Sequence, residues 1–217
     1  MLLNKIKIAF FDIDGTIHRG DTLWEAMHKK LNTWESLGRH YLEQFSKREI
    51  DYEQFARLDV EAWAGAHQDL LEETITQIEI LPETIYLFEK LLEKQIRIYL
   101  ISNGIAQLAG HIVERFGLTG YRANPLEIED KKLTGRINII LPYDHKGNAV
   151  RSILEKENIK SSQAMAVGDG PSDLHMLREV AFPVYYNDHH YPSDYNGFVA
   201  KNWSEILCYL GLKQGEQ

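Results

Sequence analysis

The sequence predicts an α/β fold in which a parallel sheet is covered by helices and a small helical bundle is inserted after the first strand. Three observations carry this. Short apolar runs recur at residues 6–11, 96–101, 164–167 and 181–186, with helical patterns before or after most of them, the alternation expected of a parallel sheet with helices on its faces. Residues 17–81 interrupt that alternation, since they hold no strand-like run and their apolar side chains fall at helical spacing. Asp12 and Ser102 follow directly on two of the apolar runs and Asp169 follows a third after Gly168, at the carboxyl edge of the strands where functional loops gather in such sheets.

Taken in chain order, Ile8-Ala9-Phe10-Phe11 is the first strand. Leu23, Met27, Leu31, Trp34, Tyr41 and Phe45 then mark one face of a helix, or of two helices broken near Gly38. Phe55, Leu58 and Ala62 repeat the pattern, as do Leu71, Ile75 and Ile78, and these stripes are read as core packing. Pro82 marks the return to the sheet domain at the start of a helix over 83–94. The domain division is therefore 1–16 with 82–217 as the core and 17–81 as the insertion. After the strand at 96–101, Ser102-Asn103-Gly104 opens a helix that runs to Phe116 and stops at Gly117. Tyr121 to Asn124 is a third parallel strand, and 127–129 with 136–140 form a hairpin joined through Asp130 to Gly135. A helix over 146–157 precedes the strand at 164–167, and the tail after Leu212 is expected to fray.

Composition narrows the function. Against 24 basic residues stand 32 acidic ones, a net charge of −8, which argues against nucleic acid or an anionic membrane as partner. The single cysteine, Cys208, has no second thiol to pair with, so a disulfide framework or Cys-rich zinc site is excluded and a reducing cytoplasm is the expected location. No apolar run reaches the length of a membrane span, and the N-terminus lacks the h-region of a signal peptide. His189-His190 and the other scattered histidines show no metal-binding spacing and are read as surface or core residues.

Four places carry chemistry. In Phe11-Asp12-Ile13-Asp14-Gly15-Thr16, alternation along a strand would put Asp12 and Asp14 on one face, where two carboxylates repel unless a cation or proton lies between them. A carboxylate can attack a phosphoryl group and a second can protonate the leaving oxygen and later activate water; Asp12 suits the first role and Asp14 the second. Ser102, with Asn103 and Gly104, would offer backbone N–H groups at a helix N-terminus to phosphate oxygens, the alternative for Ser102 being an ordinary cap. Lys146 opens a helix, where a cation opposes the macrodipole; a phosphate would justify it, the alternative being a solvated lysine. In Gly168-Asp169-Gly170-Pro171-Ser172-Asp173 the carboxylates are hard oxygen ligands that match magnesium. Asp169 is the direct ligand on this reading, with Asp173 in support through water or Lys146; an acid after Pro171 also suits a helix start without any metal.

Together these motifs resemble the haloacid dehalogenase superfamily, in its phosphoserine-phosphatase-like branch: Asp-x-Asp-Gly-Thr at 12–16, Ser102, Lys146 and Gly-Asp-Gly-x-x-Asp at 168–173, in that order. The resemblance implies a Rossmann-like core, with Asp12 as nucleophile, Asp14 as acid/base, and Mg²⁺ held by Asp12, the Asp14 carbonyl and Asp169. It also implies that 17–81 is a helical cap that closes over substrate and excludes water. An acid at Asp14 favours a phosphatase or phosphomutase over a dehalogenase or a cation-pumping ATPase.

The substrate expected is thus a small-molecule phosphate ester. Phosphoserine phosphatases of this branch hold their substrate with a glutamate and a cap arginine, positions that match Asp21 and Asp59 here, or Arg57 if the match is shifted by a turn. A carboxylate at Asp59 opposes the substrate's own carboxylate. Asp21, Asp59, Trp24 and Trp63 would instead favour an amine ester such as phosphocholine or phosphoethanolamine. A phosphotransferase or mutase, and a non-catalytic phosphate-binding protein on the same fold, are the competing expectations.

Overall fold

Strand β1 (Ile8–Phe11) has all four residues buried, as expected of a strand covered on both faces. The computed structural model describes residues 2–186 and 195–212; His189-His190 and the tail after Leu212 lie outside them. Helix α1 (Leu23–Lys30) starts at Thr22, whose side chain accepts from the Glu25 amide, an N-cap as its residue type predicts. A π-helical turn (Trp34–Gly38) runs into α2 (Arg39–Ser46). The break therefore falls not at Gly38 but before it, where Asn32 takes a left-handed φ of 57°. Gly38 serves a different need: a Cβ there would lie 2.7 Å from the His28 ring. Next come α3 (Tyr52–Ala62), opened by an Asp51/Gln54 capping box, and α4 (Gln68–Thr76).

Pro82 is the first residue of α5 (Pro82–Glu93), in agreement with the sequence. Strand β2 (Arg97–Ile105) outruns its apolar segment, and α6 (Ala106–Phe116) follows, closed by Gly117 in the left-handed region. Strand β3 (Gly120–Asn124) leads to the antiparallel hairpin β4 (Leu126–Glu129) and β5 (Lys132–Ile137), which lies slightly N-terminal to the expected one. Helix α7 (Lys146–Glu157), strand β6 (Ala164–Gly168), the short α8 (Leu174–Leu177), β7 (Phe182–Tyr185), β8 (Phe198–Val199) and α9 (Trp203–Tyr209) complete the described chain.

The main sheet is parallel, in the order β3-β2-β1-β6-β7-β8. The order reverses direction around β1, so the crevice at its carboxyl end is the topological switch point. Phe11 lies opposite Leu100 on one side and Val167 on the other, which places Asp12, Ser102 and Asp169 within a residue of the same level. Alternation along β1 feeds two cores: Ala9 and Phe11 pack with α5, α6 and α9, while Ile8 and Phe10 pack with Val150, Ile153 and Leu154 of α7. Asp12 has the parity of Phe10, the side on which α7 lies.

The helical insertion is tied down at several points. The Leu81 amide donates to the Ile17 carbonyl, and His18 bridges to Ile80. At its far end Gly65 and Gln68 donate to Leu133 and Lys131 of the hairpin segment. On α3, the Tyr52 hydroxyl donates to the Asn103 carbonyl, which also accepts from Asn124 Nδ2 at 2.8 Å.

Candidate active site

The strand ends at Phe11, and the chain turns at once: the Thr16 and Ile17 amides both donate to the Ile13 carbonyl. Gly15 sits in this turn at φ 81°, and a Cβ on it would come within 2.4 Å of Asp169 Oδ2, so both backbone and space require glycine. The turn separates the two acids that strand alternation would have put on one face. Asp12 goes down into the crevice and is 5% exposed. Asp14 stands at its rim with a side chain 24% exposed, its Oδ1 2.8 Å from His18 Nε2.

The carboxylates that crowd Asp12 are instead Asp169 and Asp173, with one oxygen of each of the three within 4.8 Å of the others. Lys146, 2% exposed, lies between Asp12 and Asp173 with Nζ 2.6 Å from an oxygen of each. Its ammonium is thus a buried structural and electrostatic centre, held charged because the two carboxylates outweigh the effect of burial. Asp173 turns its other oxygen to the amides of Asp169 and Gly170, at 3.0 and 2.9 Å. Thr16 Oγ1 donates to Asp169 Oδ1 at 2.6 Å, and the Trp203 indole N–H fixes the Thr16 carbonyl.

One ammonium does not balance three clustered carboxylates, two of them buried. Burial, and then the charge of Asp173, push Asp12 well above the usual carboxylate range in spite of Lys146. Burial also raises Asp169 to about 6 against the hydrogen bond from Thr16. A cluster of hard oxygens with surplus negative charge is a donor set suited to a divalent cation.

Ser102 differs from expectation. It does not open a helix, because β2 continues to Ile105 with an irregular register against β3 between Ile101 and Ile105. The departure from regular pairing, rather than a helix end, sets the backbone here. Ser102 Oγ accepts from the Gly104 amide at 2.9 Å. Asn103 donates to the Leu141 and Pro142 carbonyls at 3.1 and 3.0 Å, tying β2 to the segment before Lys146.

Asp21 and Asp59 are not a free pair of substrate carboxylates. Asp21 is 42% exposed and held by Lys29 at 2.7 Å. Asp59 is buried, with Oδ1 3.0 Å from His28 Nε2, while His28 Nδ1 lies 2.7 Å from Thr33 Oγ1. Arg57 points to Glu53 on the surface. Trp63 is fully buried against Trp24 and His28. Trp24 alone of this group reaches the crevice, its Nε1 3.9 Å from where a Gly104 Cβ would stand. The role of His18 was not legible, since a lone histidine in a turn carries no spacing signal.

Comparison with known proteins gives the family. The phosphoserine phosphatase of Archaeoglobus fulgidus is 26% identical over 182 residues, 83% of this chain and 52% of that protein. That of Methanocaldococcus jannaschii is 26% identical over 186 residues, 84% of this chain and 86% of its own. The chain spans about half the length of the first of these relatives. A substrate-bound phosphoserine phosphatase structure superposes with a TM-score of 0.81 at 22% identity, covering 94% of this chain and 98% of that one. A HAD family hydrolase of Salmonella enterica serovar Typhi gives 0.85 at 19% identity, covering 94% and 70%; at such identities the likeness is one of fold. The model of the haloacid dehalogenase-like hydrolase family matches residues 9–178, a span that runs from β1 past the Asp169–Asp173 loop, and the chain belongs to that family.

Proposed function

We propose that this chain is a magnesium-dependent phosphomonoesterase that cleaves a small-metabolite phosphate ester through an aspartyl-phosphate on Asp12. The observation that carries the reading is the convergence of Asp12, Asp169 and Asp173 on Lys146 at the switch point of the sheet. Asp12, Asp169 and the Asp14 carbonyl would hold Mg²⁺, with Asp173 in support; when bound, the ion supplies positive charge to the phosphoryl oxygens. Lys146 keeps Asp12 oriented and adds positive charge beside it. Ser102 Oγ, which accepts from the Gly104 amide, and the Asn103 amide receive the remaining phosphoryl oxygens. Asp12 attacks phosphorus as the ester bond breaks, and Asp14 protonates the departing oxygen. Asp14 then takes a proton from the water that releases phosphate and frees Asp12. Residues 17–81 act as the cap over the core formed by 1–16 and 82–217, excluding bulk water during these steps.

The similarity to phosphoserine phosphatases supports a compact polar ester. The ion pair of Asp21 and the hydrogen bond of Asp59 remove the argument for an amine ester. Among the described residues no helix is long and apolar enough to cross a membrane. The test is phosphate release from amino-acid, amine, sugar and nucleotide monophosphates and p-nitrophenyl phosphate, with and without Mg²⁺. Metal-dependent release from at least one ester is expected, and no release from any of them would overturn the reading.

Metal dependence has a second signature, in stability. Asp169 has a folded pKa of about 6, above the value of about 3.9 for an unfolded aspartate, so folding takes up a proton. The stability this confers is complete below the unfolded value and is lost as pH rises through about 6. At pH 5 protons satisfy the acids, whereas at pH 7.5 the metal-free site is strained by its own charge. A hundredfold excess of Mg²⁺ over Kd stabilises by about 2.7 kcal/mol. The Mg²⁺-induced rise in Tm is therefore expected to be larger at pH 7.5 than at pH 5, as scanning calorimetry can measure; an equal rise at both would contradict it.

A further inference from the structure

Asp14 stands at the rim of the crevice, where a carboxylate can rotate unless something holds it. His18 is in place to do so. Its side chain is 1% exposed and its Nε2 lies 2.8 Å from Asp14 Oδ1. The backbone around His18 is fixed on both sides, bridging in parallel to Asp14 and antiparallel to Ile80, while the neighbouring Ile17 carbonyl accepts from Leu81. The imidazole is therefore anchored where both connections of the helical insertion meet.

The second oxygen of Asp14 faces the catalytic space. A Cβ on Gly104 would stand 3.1 Å from Asp14 Oδ2, 3.0 Å from Ser102 Oγ and 3.9 Å from Trp24 Nε1. This oxygen thus lies next to the serine assigned to the phosphoryl group and the one tryptophan edge that reaches in from the insertion. One oxygen is held and the other is presented.

On the phosphatase reading, we infer that His18 is the positioning residue of the general acid: its Nε2–H donates to Asp14 Oδ1 and keeps Oδ2 aimed at the leaving-group oxygen. In the first step an Asp12 oxygen bonds to phosphorus, the ester P–O bond breaks, and its electron pair takes the proton from Asp14 Oδ2. In the second, water oxygen bonds to phosphorus, the bond from Asp12 breaks, and a water proton passes to the same Oδ2. The bond from His18 persists through both steps, with Oδ1 never required to carry the proton.

A histidine that only packed the hinge would leave the chemistry of the leaving group untouched. A positioning role is selective, because an alkoxide needs protonation far more than p-nitrophenolate does. His18→Phe removes the donor and keeps a ring. We expect kcat/KM, which reports steps through formation of the phosphoenzyme, to fall about 100-fold for an alkyl phosphate and less than about threefold for p-nitrophenyl phosphate. The kcat should fall for both, since the water step needs the same carboxylate. His18→Gln, which returns an N–H at similar reach, should recover most of the alkyl activity. Should His18→Phe not fold, His18→Asn takes its place, its amide falling short of Asp14. Equal losses on the two esters, or no loss, would overturn the inference.

The outcome is separable from that of the phosphatase reading. If wild-type turnover survives Asp12→Asn, or no ester is turned over, that reading fails and the inference is decided by a crystal structure of the His18 variant. There a rotated Asp14 carboxylate supports the positioning role and an unmoved one overturns it.

Discussion

Asp12→Asn is expected to abolish turnover, with kcat lowered on the order of 10⁵-fold, while the chain folds at least as firmly as before. The two halves of this expectation have one origin. Asp12 is buried among acids, and its burial together with the charge of Asp173 makes ionisation costly. An amide of the same shape removes that cost. Lys146 keeps its bond to Asp173 at 2.6 Å, so its ammonium is not orphaned. The neutral amide also lacks the anionic oxygen with which a carboxylate attacks phosphorus, and Asp14, held 2.8 Å from His18, cannot replace it. Turnover of the best ester from the substrate screen, with a melting curve, measures both. Activity within tenfold of wild type would refute the covalent route, and unfolding would refute the account of crowding.

Much of this site could be read in the chain because its parts are punctuation between strands and helices. Asp12 and Asp169 were legible because an apolar run stops and a carboxylate follows. Lys146 was legible from a conflict: a cation at a helix start opposes the local dipole. The conflict is resolved by Asp12 and Asp173, 134 and 27 residues away, which no local pattern specifies. Errors arose where backbone geometry broke a period. Strand alternation does not extend to Asp14, because the turn at 13–17 begins inside the motif. The polar neighbours of Ser102 look like a helix cap in the sequence, yet pairing with β3 holds β2 extended to Ile105. A sequence pattern that points to Asp21 and Asp59 is blind to their partners: Lys29 sits eight residues from Asp21, and His28 thirty-one from Asp59. The helices of the insertion were legible by period and their packing partners were not.

Lys146→Met should damage stability and catalysis together, and pH should divide the two. Methionine fills the space left by the lysine stem but leaves Asp12 and Asp173 buried without their shared ammonium. Breaking a buried ion pair from one side costs about 3–5 kcal/mol, equivalent in a chain of this size to a fall in Tm of about 10 °C. In the wild type, the Lys146 pKa is raised by the two carboxylates. Its contribution is then fully present below the unfolded lysine pKa of about 10.4 and changes little between pH 5 and 8. The variant behaves otherwise. Asp12 and Asp169 have lost a cation that lowers them, so their folded pKa values rise further and folding takes up protons. Stability held at low pH is then lost as pH rises from the unfolded carboxylate value through these raised folded ones. The deficit relative to wild type should be smaller at pH 5 than at pH 8, which denaturant melts at the two values would measure. Catalysis does not recover at low pH, because protonated Asp12 is no nucleophile and the phosphoryl oxygens have lost a cation, a loss of about 10²–10³ in kcat. A deficit below about 1 kcal/mol, the level of an exposed ion pair, or one independent of pH, would show that Lys146 is not the charge around which the buried acids are arranged.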